Sequence, residues 1–416
     1  MELNAKKIVL ITSGQPSVNP RLVKEADALI EAGYDIQVIY QYWNRWATDL
    51  DEKLLLQKNW KAVRIGGDPI NEKLTYWQTR ITLKIARKLV KSLGFIGNLA
   101  ELAIGRCTSQ LVKKAKNTPG DLYIAHNLAA LPAAVLAAKY NNVKCGFDAE
   151  DLHRYEMSDD DLNDDVRLKK YLEEKYFPLV NYLTTSSPEI AKKYEMFFPS
   201  LKFNTLLNVF PKNETELIKK NNNEQSLKLF WFSQNVGLSR GLQDVLGALK
   251  IIENEKIEFH ILGFLSQQVK TELDQIIQDL NFIHSPKIVF HPPIESTELT
   301  KFASKFDIGL ATEPGFSINN DIALSNKIFT YAQAGLAIIA SDTTAQKQFI
   351  TAYPNMGAIY EKKNSTSLAQ ILKNYIEHKE LLAQHQAQSV QYAKEKLNWD
   401  VEKDKFLSLI YHTINS

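Results

Sequence analysis

The sequence predicts an α/β protein built from two doubly wound, Rossmann-like domains, and three observations carry that expectation. The chain has 416 residues, more than one hydrophobic core usually organises, so two domains of roughly 200 residues are expected. Short apolar runs rich in β-formers alternate with longer helical patterns, the signature of parallel sheets. A polar, Asn-rich stretch, KNETELIKKNNNEQS, interrupts that alternation near the middle and reads as a linker.

The first series opens with KIVLITSG, passes through RLVKEADALIEAG and enters DIQVIYQY. Leu22, Ala26, Leu29 and Ile30 share a helical face and Gly33 stops the helix, which makes a βαβ unit. DLYIAH, the helix LPAAVLAAKYN, VKCGFDAED and YLTTSS extend the same sheet. The second series runs LKLFWFS, RGLQDVLGALKII, IEFHILG, VKTELDQIIQDL, KIVFHPP, ELTKFASKF, IGLAT, NKIFTYAQAG and LAIIASD. The expected layout is a first domain over 1–205, a linker over 206–225, a second domain over 226–390, and a C-terminal helix over 391–416 packing back on the first domain. Two such domains facing each other place a cleft at the carboxyl ends of both sheets.

Fifty lysines and arginines against 48 acids give a formal charge of +2, which argues against a general polyanion binder and so against nucleic acid as a partner. Cys107 and Cys145 are too few for a disulfide framework or a thiolate metal site, and they suit a reducing, cytoplasmic compartment. The start, MELNAKKIVLITSG, has an apolar core of only about five residues, shorter than that of a signal peptide. Nowhere do about 18 apolar residues run uninterrupted, so no transmembrane helix is expected. Residues 73–100 hold six basic residues and no acid. Within them Trp77, Ile81, Ile85 and Leu89 recur every four residues beside Arg80, Lys84, Arg87, Lys88 and Lys91. That pattern fits an ordinary surface helix with a core-facing stripe, or a basic helix lying on anionic lipid at the inner face of a membrane.

After LKLFWFS comes a polar, Gly-containing loop that enters a helix near Arg240 and Gly241. Such a loop aims backbone N–H groups and the positive helix end at an anion, and Arg240 adds a charged fork suited to a diphosphate. The loop has neither the GxGxxG nor the Walker pattern, and no glycine fingerprint of a dehydrogenase follows the first strand. Gly14 does follow it, where a side chain would block a ligand approaching the sheet's end. Asn19 and Arg21 open the next helix, where they either bind an anionic acceptor or leave Asn19 as a cap with Pro20 in first position. FDAEDLHRYE clusters Asp148, Glu150, Asp151 and His153, and carboxylates there can orient or deprotonate an acceptor hydroxyl. No metal-ligand spacing stands out.

Three blocks, FWFSQNVGLSRGLQDVLGAL, KIVFHPPIESTELTKFASKFDIGLAT and SNKIFTYAQAGLAIIASD, follow one another in the order and spacing of a known domain. They resemble the C-terminal domain of the family-four retaining glycosyltransferases of the GT-B fold. SGQPSVNPRLVKEADALIEAGYDIQVI, IAHNLAALPAA, SSPEI, NVFP and KLNWDVEKDKF are similar to further landmarks of that family. The resemblance implies transfer of a sugar, with retention, from a nucleoside-diphosphate sugar to the hydroxyl of a glycan or lipid-linked acceptor in cell-envelope polysaccharide or glycolipid assembly. It implies no cofactor and no metal.

Residue by residue, the resemblance implies that Gln234, Asn235, Gly237 and Gly241 form the phosphate loop. Arg240 stands at the family's Lys, and Asn235 stands where the family usually has an Arg. Ser325, Asn326 and Lys327 open the nucleotide-binding helix, and Lys327 is expected to restore the missing cation. EPGF resembles the family's EGFG turn, which places Glu313, Gly315 and Phe316 near the donor. Thr330 occupies the position of the second Glu of the E-x7-E motif, so ribose recognition is expected to be weaker or shared. Glu313 and Asp321 imitate that motif's spacing out of register. His126 aligns with a His that contacts the transferred sugar. Arg240, Lys327, His126 and Asp151 are the expected catalytic group, with Asn19, Arg21, Asp148 and Glu150 on the acceptor side. A nucleotide-sugar epimerase of the same fold stays open as an alternative, as does a non-catalytic glycosyltransferase-like subunit, for which Thr330 and Asn235 argue.

Overall fold

The computed structural model describes residues 5–212 and 226–416. Most of the expected linker, residues 213–225, lies outside the described residues. The chain divides into two compact units, residues 1–207 with 402–416, and residues 208–401.

The first unit is built on a seven-stranded parallel sheet of β1 (Lys7–Thr12), β2 (Asp35–Gln41), β3 (Lys61–Ile65), β4 (Leu122–His126), β5 (Lys144–Ala149), β6 (Tyr182–Thr185) and β7 (Phe203–Thr205). Their order is β3-β2-β1-β4-β5-β6-β7. A parallel sheet is covered on both faces, so its strands read as apolar runs, and Ile8, Leu10, Leu122 and Ile124 are fully buried. They pack with Leu22, Ala26 and Leu29 of the helix Pro20–Glu31 and with Phe406 and Ile410 of the C-terminal helix Trp399–Asn415.

The second unit has a six-stranded parallel sheet of β8 (Leu227–Asn235), β9 (Ile257–Phe264), β10 (Lys287–His291), β11 (Ile308–Ala311), β12 (Ala337–Ser341) and β13 (Gly357–Tyr360). The order is β10-β9-β8-β11-β12-β13. Leu229, Trp231, Phe259, Leu310 and Ile339 of this sheet form one core with Leu242, Val245, Leu246 and Leu249 of the helix Leu242–Ile251.

Each sheet has a switch point where the chain order reverses. In the first unit β1 lies between β2 and β4, and in the second β8 lies between β9 and β11. Ligands of such sheets bind outside the carboxyl ends of the strands at that point. The switch points therefore select the residues following β1 and β4 in one unit, and those following β8 and β11 in the other.

The basic segment forms the helix Lys73–Leu93, and its orientation overturns the expectation of a core-facing stripe. Trp77, Ile81, Ile85 and Leu89 are 55%, 56%, 51% and 37% exposed, whereas Thr79 and Ala86 are buried. The small residues of the helix face the protein because Arg106, which donates to Thr79 Oγ1 at 2.8 Å and to the Tyr42 carbonyl at 2.7 Å, moors that side. Among the described residues no helix is long and apolar enough to cross a membrane.

Candidate functional site

In the second unit the chain leaves β8 at Asn235, turns through Leu238–Arg240 and reaches Gly241 with φ 74°. A left-handed residue that ends a turn and opens a helix favours glycine. Here a Cβ would also strike the carbonyl oxygen of Thr312. Thr312 Oγ1 donates to the Arg240 carbonyl at 2.7 Å, so the loop is strapped to the end of β11. One residue further stands Glu313, 6% exposed. Lys327, the first residue of the helix Lys327–Ala334, donates from Nζ to Glu313 Oε1 at 2.6 Å, and Ser325 Oγ donates to the same oxygen at 3.0 Å. Ser341 Oγ, from the end of β12, donates to the Glu313 backbone carbonyl at 2.6 Å.

Burial alone would raise the Glu313 pKa. The charge and hydrogen bond of Lys327, the Ser325 hydroxyl and the charge of Arg240 outweigh it and hold the carboxyl below its ordinary value. Two cations against one carboxylate leave the cluster with a net positive charge. The first N–H groups of the helices Leu242–Ile251 and Lys327–Ala334 add positive partial charge at the same sheet end. The arrangement suits a polyanion such as a diphosphate. Arg240, Gln234 and Asn235 are exposed, as is Phe316 beside Gly315, whose own N–H donates to Asn320 Oδ1 at 2.7 Å.

The structure corrects two donor-side expectations, those for Lys327 and Thr330. Lys327 is already engaged by Glu313, so it offers an anion a shared charge rather than a replacement for the cation missing at Asn235. Thr330 is 1% exposed, because the helix carrying it is buried along its whole length, and it presents no hydroxyl at the surface for a ribose. Asp321 pairs with Lys362 at 3.0 Å and accepts a hydrogen bond from Thr344, side chains other than the Ser325 and Lys327 that meet Glu313.

In the first unit the ladder aligns Thr12, His126, Asp148 and Thr184 in one row across β1, β4, β5 and β6. Arg21 and Glu25, one helical turn apart, project from the helix Pro20–Glu31 toward this row. Arg21 donates to both oxygens of Asp148, from Nη2 at 2.9 Å, and from Nη1 to the Leu206 carbonyl at 2.6 Å. Thr184 Oγ1 donates to Asp148 at 2.7 Å. The His126 ring lies between Glu25, 3.1 Å from Nε2, and Asp148, 3.4 Å from Nδ1.

These four charged groups are buried, so Arg21 and Asp148 serve each other and are not the acceptor contacts the sequence suggested. His126 is likewise enclosed and touches carboxylates where a sugar contact was expected. Asn19 accepts from the Leu22 N–H at 3.1 Å with Pro20 in first position, which is the capping arrangement and not an anion contact. Glu25, His126 and Asp148 have the spacing of a metal-binding set, but the Arg21 guanidinium already stands against Asp148 as its cation. Glu25 escaped notice in the sequence, although its place one turn after Arg21 was a usable signal.

Burial lowers a histidine, yet the charge of Glu25 and the hydrogen bonds and charge of Asp148 push His126 up to about 10. Burial, with the charges of Asp151 and Asp148, pushes Glu150 up to about 7. Glu150 and Asp151 are partly exposed past the end of β5, and Gly14 follows β1, its N–H donating to Thr12 Oγ1 at 3.1 Å.

No protein-family model and no curated protein matches the chain. Solved structures do. A glycosyltransferase from Rickettsia africae superposes with a TM-score of 0.70 at 12% identity, covering 99% of this chain and 100% of the other. HepE from Anabaena, solved in complex with UDP, gives 0.69 at 13% identity over 98% and 100%. Sucrose-phosphate synthase from Thermosynechococcus elongatus gives 0.68 at 11% identity over 98% of each chain. At such identities the likeness establishes the fold, two Rossmann-like domains of the GT-B type.

Two expectations follow from these clusters. Lys327→Met strands the buried Glu313 carboxylate and is expected to lower stability by about 3 kcal/mol, most of it regained when Glu313→Gln is added, as read from denaturant midpoints. The second concerns pH. The folded value of His126 lies above its ordinary 6.5, so its contribution is complete below that value and is lost as pH rises toward about 10. His126→Phe is expected to flatten the fall in melting temperature between about pH 7 and 10 relative to the unaltered protein.

Proposed function

We propose that this chain is a glycosyltransferase that moves a sugar from a nucleoside-diphosphate sugar to an acceptor hydroxyl with retention of configuration. The observation that carries this reading is the convergence of Arg240, Lys327 and two helix N-termini at the switch point of the second sheet. The fold adds support, since HepE, which shares it, has been solved with UDP-glucose.

In the proposed reaction the bond from the anomeric carbon to the diphosphate breaks and a bond to the acceptor oxygen forms on the same face. The acceptor's proton passes to the departing diphosphate oxygen. Arg240, the shared Lys327 and the helix ends take up the negative charge that develops on the leaving group, and such electrostatic stabilisation is commonly the largest share of catalysis. Glu150, with a pKa raised to about 7, exchanges a proton near neutral pH and is suited to hydrogen-bond an acceptor hydroxyl from the first unit. The acceptor we favour is a lipid-linked or envelope glycan, met at the cytoplasmic face of a membrane.

The test is a thermal-shift screen of UDP-, GDP-, ADP- and TDP-sugars on the unaltered protein and on Arg240→Ala, an exposed position whose loss leaves the core untouched. One nucleotide class is expected to raise the melting temperature, and the variant is expected to weaken its binding by about tenfold or more. No shift with any nucleotide sugar would overturn the proposal.

A further inference from the structure

We propose that the helix Lys73–Leu93 docks this protein on a bilayer containing anionic phospholipid. The helix has 21 residues and is about 30 Å long. With about 100° between successive residues, Leu74, Trp77, Ile81 and Ile85 fall opposite the buried Thr79 and Ala86. A water-facing helix ordinarily carries charges there; this one exposes large apolar side chains along its length, and Ile96, just past its end, is exposed as well. A contiguous exposed apolar face marks an interaction site.

The charge beside that face identifies the occupant. Lys73, Arg80, Lys84, Arg87, Lys88 and Lys91 flank the stripe, and the helix contains no acid. A groove of about 720 Å³ on this side is lined by Trp77, Arg80, Ile81, Lys84, Lys88 and Arg106, among others. Arg80 donates to the Tyr76 hydroxyl at 2.8 Å and lies 5.7 Å from the Trp77 ring centroid, which braces the aromatic where apolar and charged zones meet. Among the described residues, Asp164 pairs with one of these cations, Lys91, at 2.7 Å.

An apolar stripe bordered by cations of one sign fits acyl chains beneath phosphate headgroups, the geometry of an interfacial helix. A second copy of the chain would set these cations against their own kind, so a symmetric dimer through the face is disfavoured. The helix is moored to its domain through Thr79 and through Arg87, whose Nε donates to the Ala103 carbonyl at 3.1 Å, so binding does not require it to fold or detach. The docking needs no nucleotide and stands apart from the transferase reading.

The experiment is flotation of the full chain with phosphatidylcholine vesicles, with and without phosphatidylglycerol. Binding is expected only with phosphatidylglycerol, with release by salt. Each cation near the surface is worth about fivefold in partitioning, so Lys84→Glu with Lys88→Glu is expected to weaken it by at least about 25-fold. Trp77→Ser with Ile81→Ser, which leaves the charge unchanged, is expected to lose binding as well, with folding of both variants confirmed by circular dichroism. Failure of the unaltered protein to bind phosphatidylglycerol vesicles overturns the proposal. So does undiminished binding by the charge-reversed variant, or self-association of the unaltered protein through this face in place of vesicle binding.

Discussion

Lys327 meets Glu313 at 2.6 Å with both side chains nearly out of water, and everything the second domain can do at its switch point is conditioned by that pair. An ammonium placed there alone would carry a large desolvation cost, and so would a carboxylate. Together, with Ser325 on the shared carboxylate oxygen, they keep a lysine at the first turn of a buried helix and hold the strand end against it. The pair also sets the electrostatics of the site. It contributes no net charge, so the excess positive charge comes from Arg240 and from the helix ends. A diphosphate arriving there must compete with Glu313 for the ammonium, and the exposed guanidinium is the group free to meet it first.

The first domain handles charge differently. Arg21, Asp148, Glu25 and His126 alternate in sign within a buried layer between a helix and the row formed by Thr12, His126, Asp148 and Thr184. Removing any one member leaves a neighbour uncompensated, so these residues fix how the helix Pro20–Glu31 seats on the sheet. Arg21 also holds the Leu206 carbonyl, and Glu402 accepts from the Leu207 N–H at 3.0 Å, both within one residue of where the chain passes between its two units. The partly exposed carboxylates Glu150 and Asp151 stand beyond this layer, which acts on Glu150 through the charge of Asp148.

How far the sequence could be read depended on the range of the interactions. KIVLIT, DIQVIYQ and AIIAS were legible as strands because burial on both faces of a parallel sheet leaves an apolar run with no alternation to misread. KAVRI, FNT and GAIY, which form β3, β7 and β13, escaped because edge and near-edge strands this short carry little of that signal. The Asn19 cap was legible because its partner is three residues away, whereas Arg21 was misassigned because its partner, Asp148, is 127 residues away. The apolar stripe on Lys73–Leu93 has the same period whether it faces core or solvent, so only the packing of Thr79 and Ala86 decides its direction. Thr330 was placed by resemblance to a motif that speaks of ribose, and the burial of its whole helix is a tertiary fact invisible to spacing.

A crystal structure of the protein with UDP tests most directly whether negative charge is received at the ends of β8 and β11. The diphosphate is predicted to lie at the turn before Gly241, with its oxygens within hydrogen-bond distance of the Arg240 guanidinium and the Lys327 ammonium, and with Lys327 drawn from Glu313. A nucleotide bound elsewhere in the chain, with Arg240 turned to bulk water and the Lys327–Glu313 pair unchanged, would contradict it.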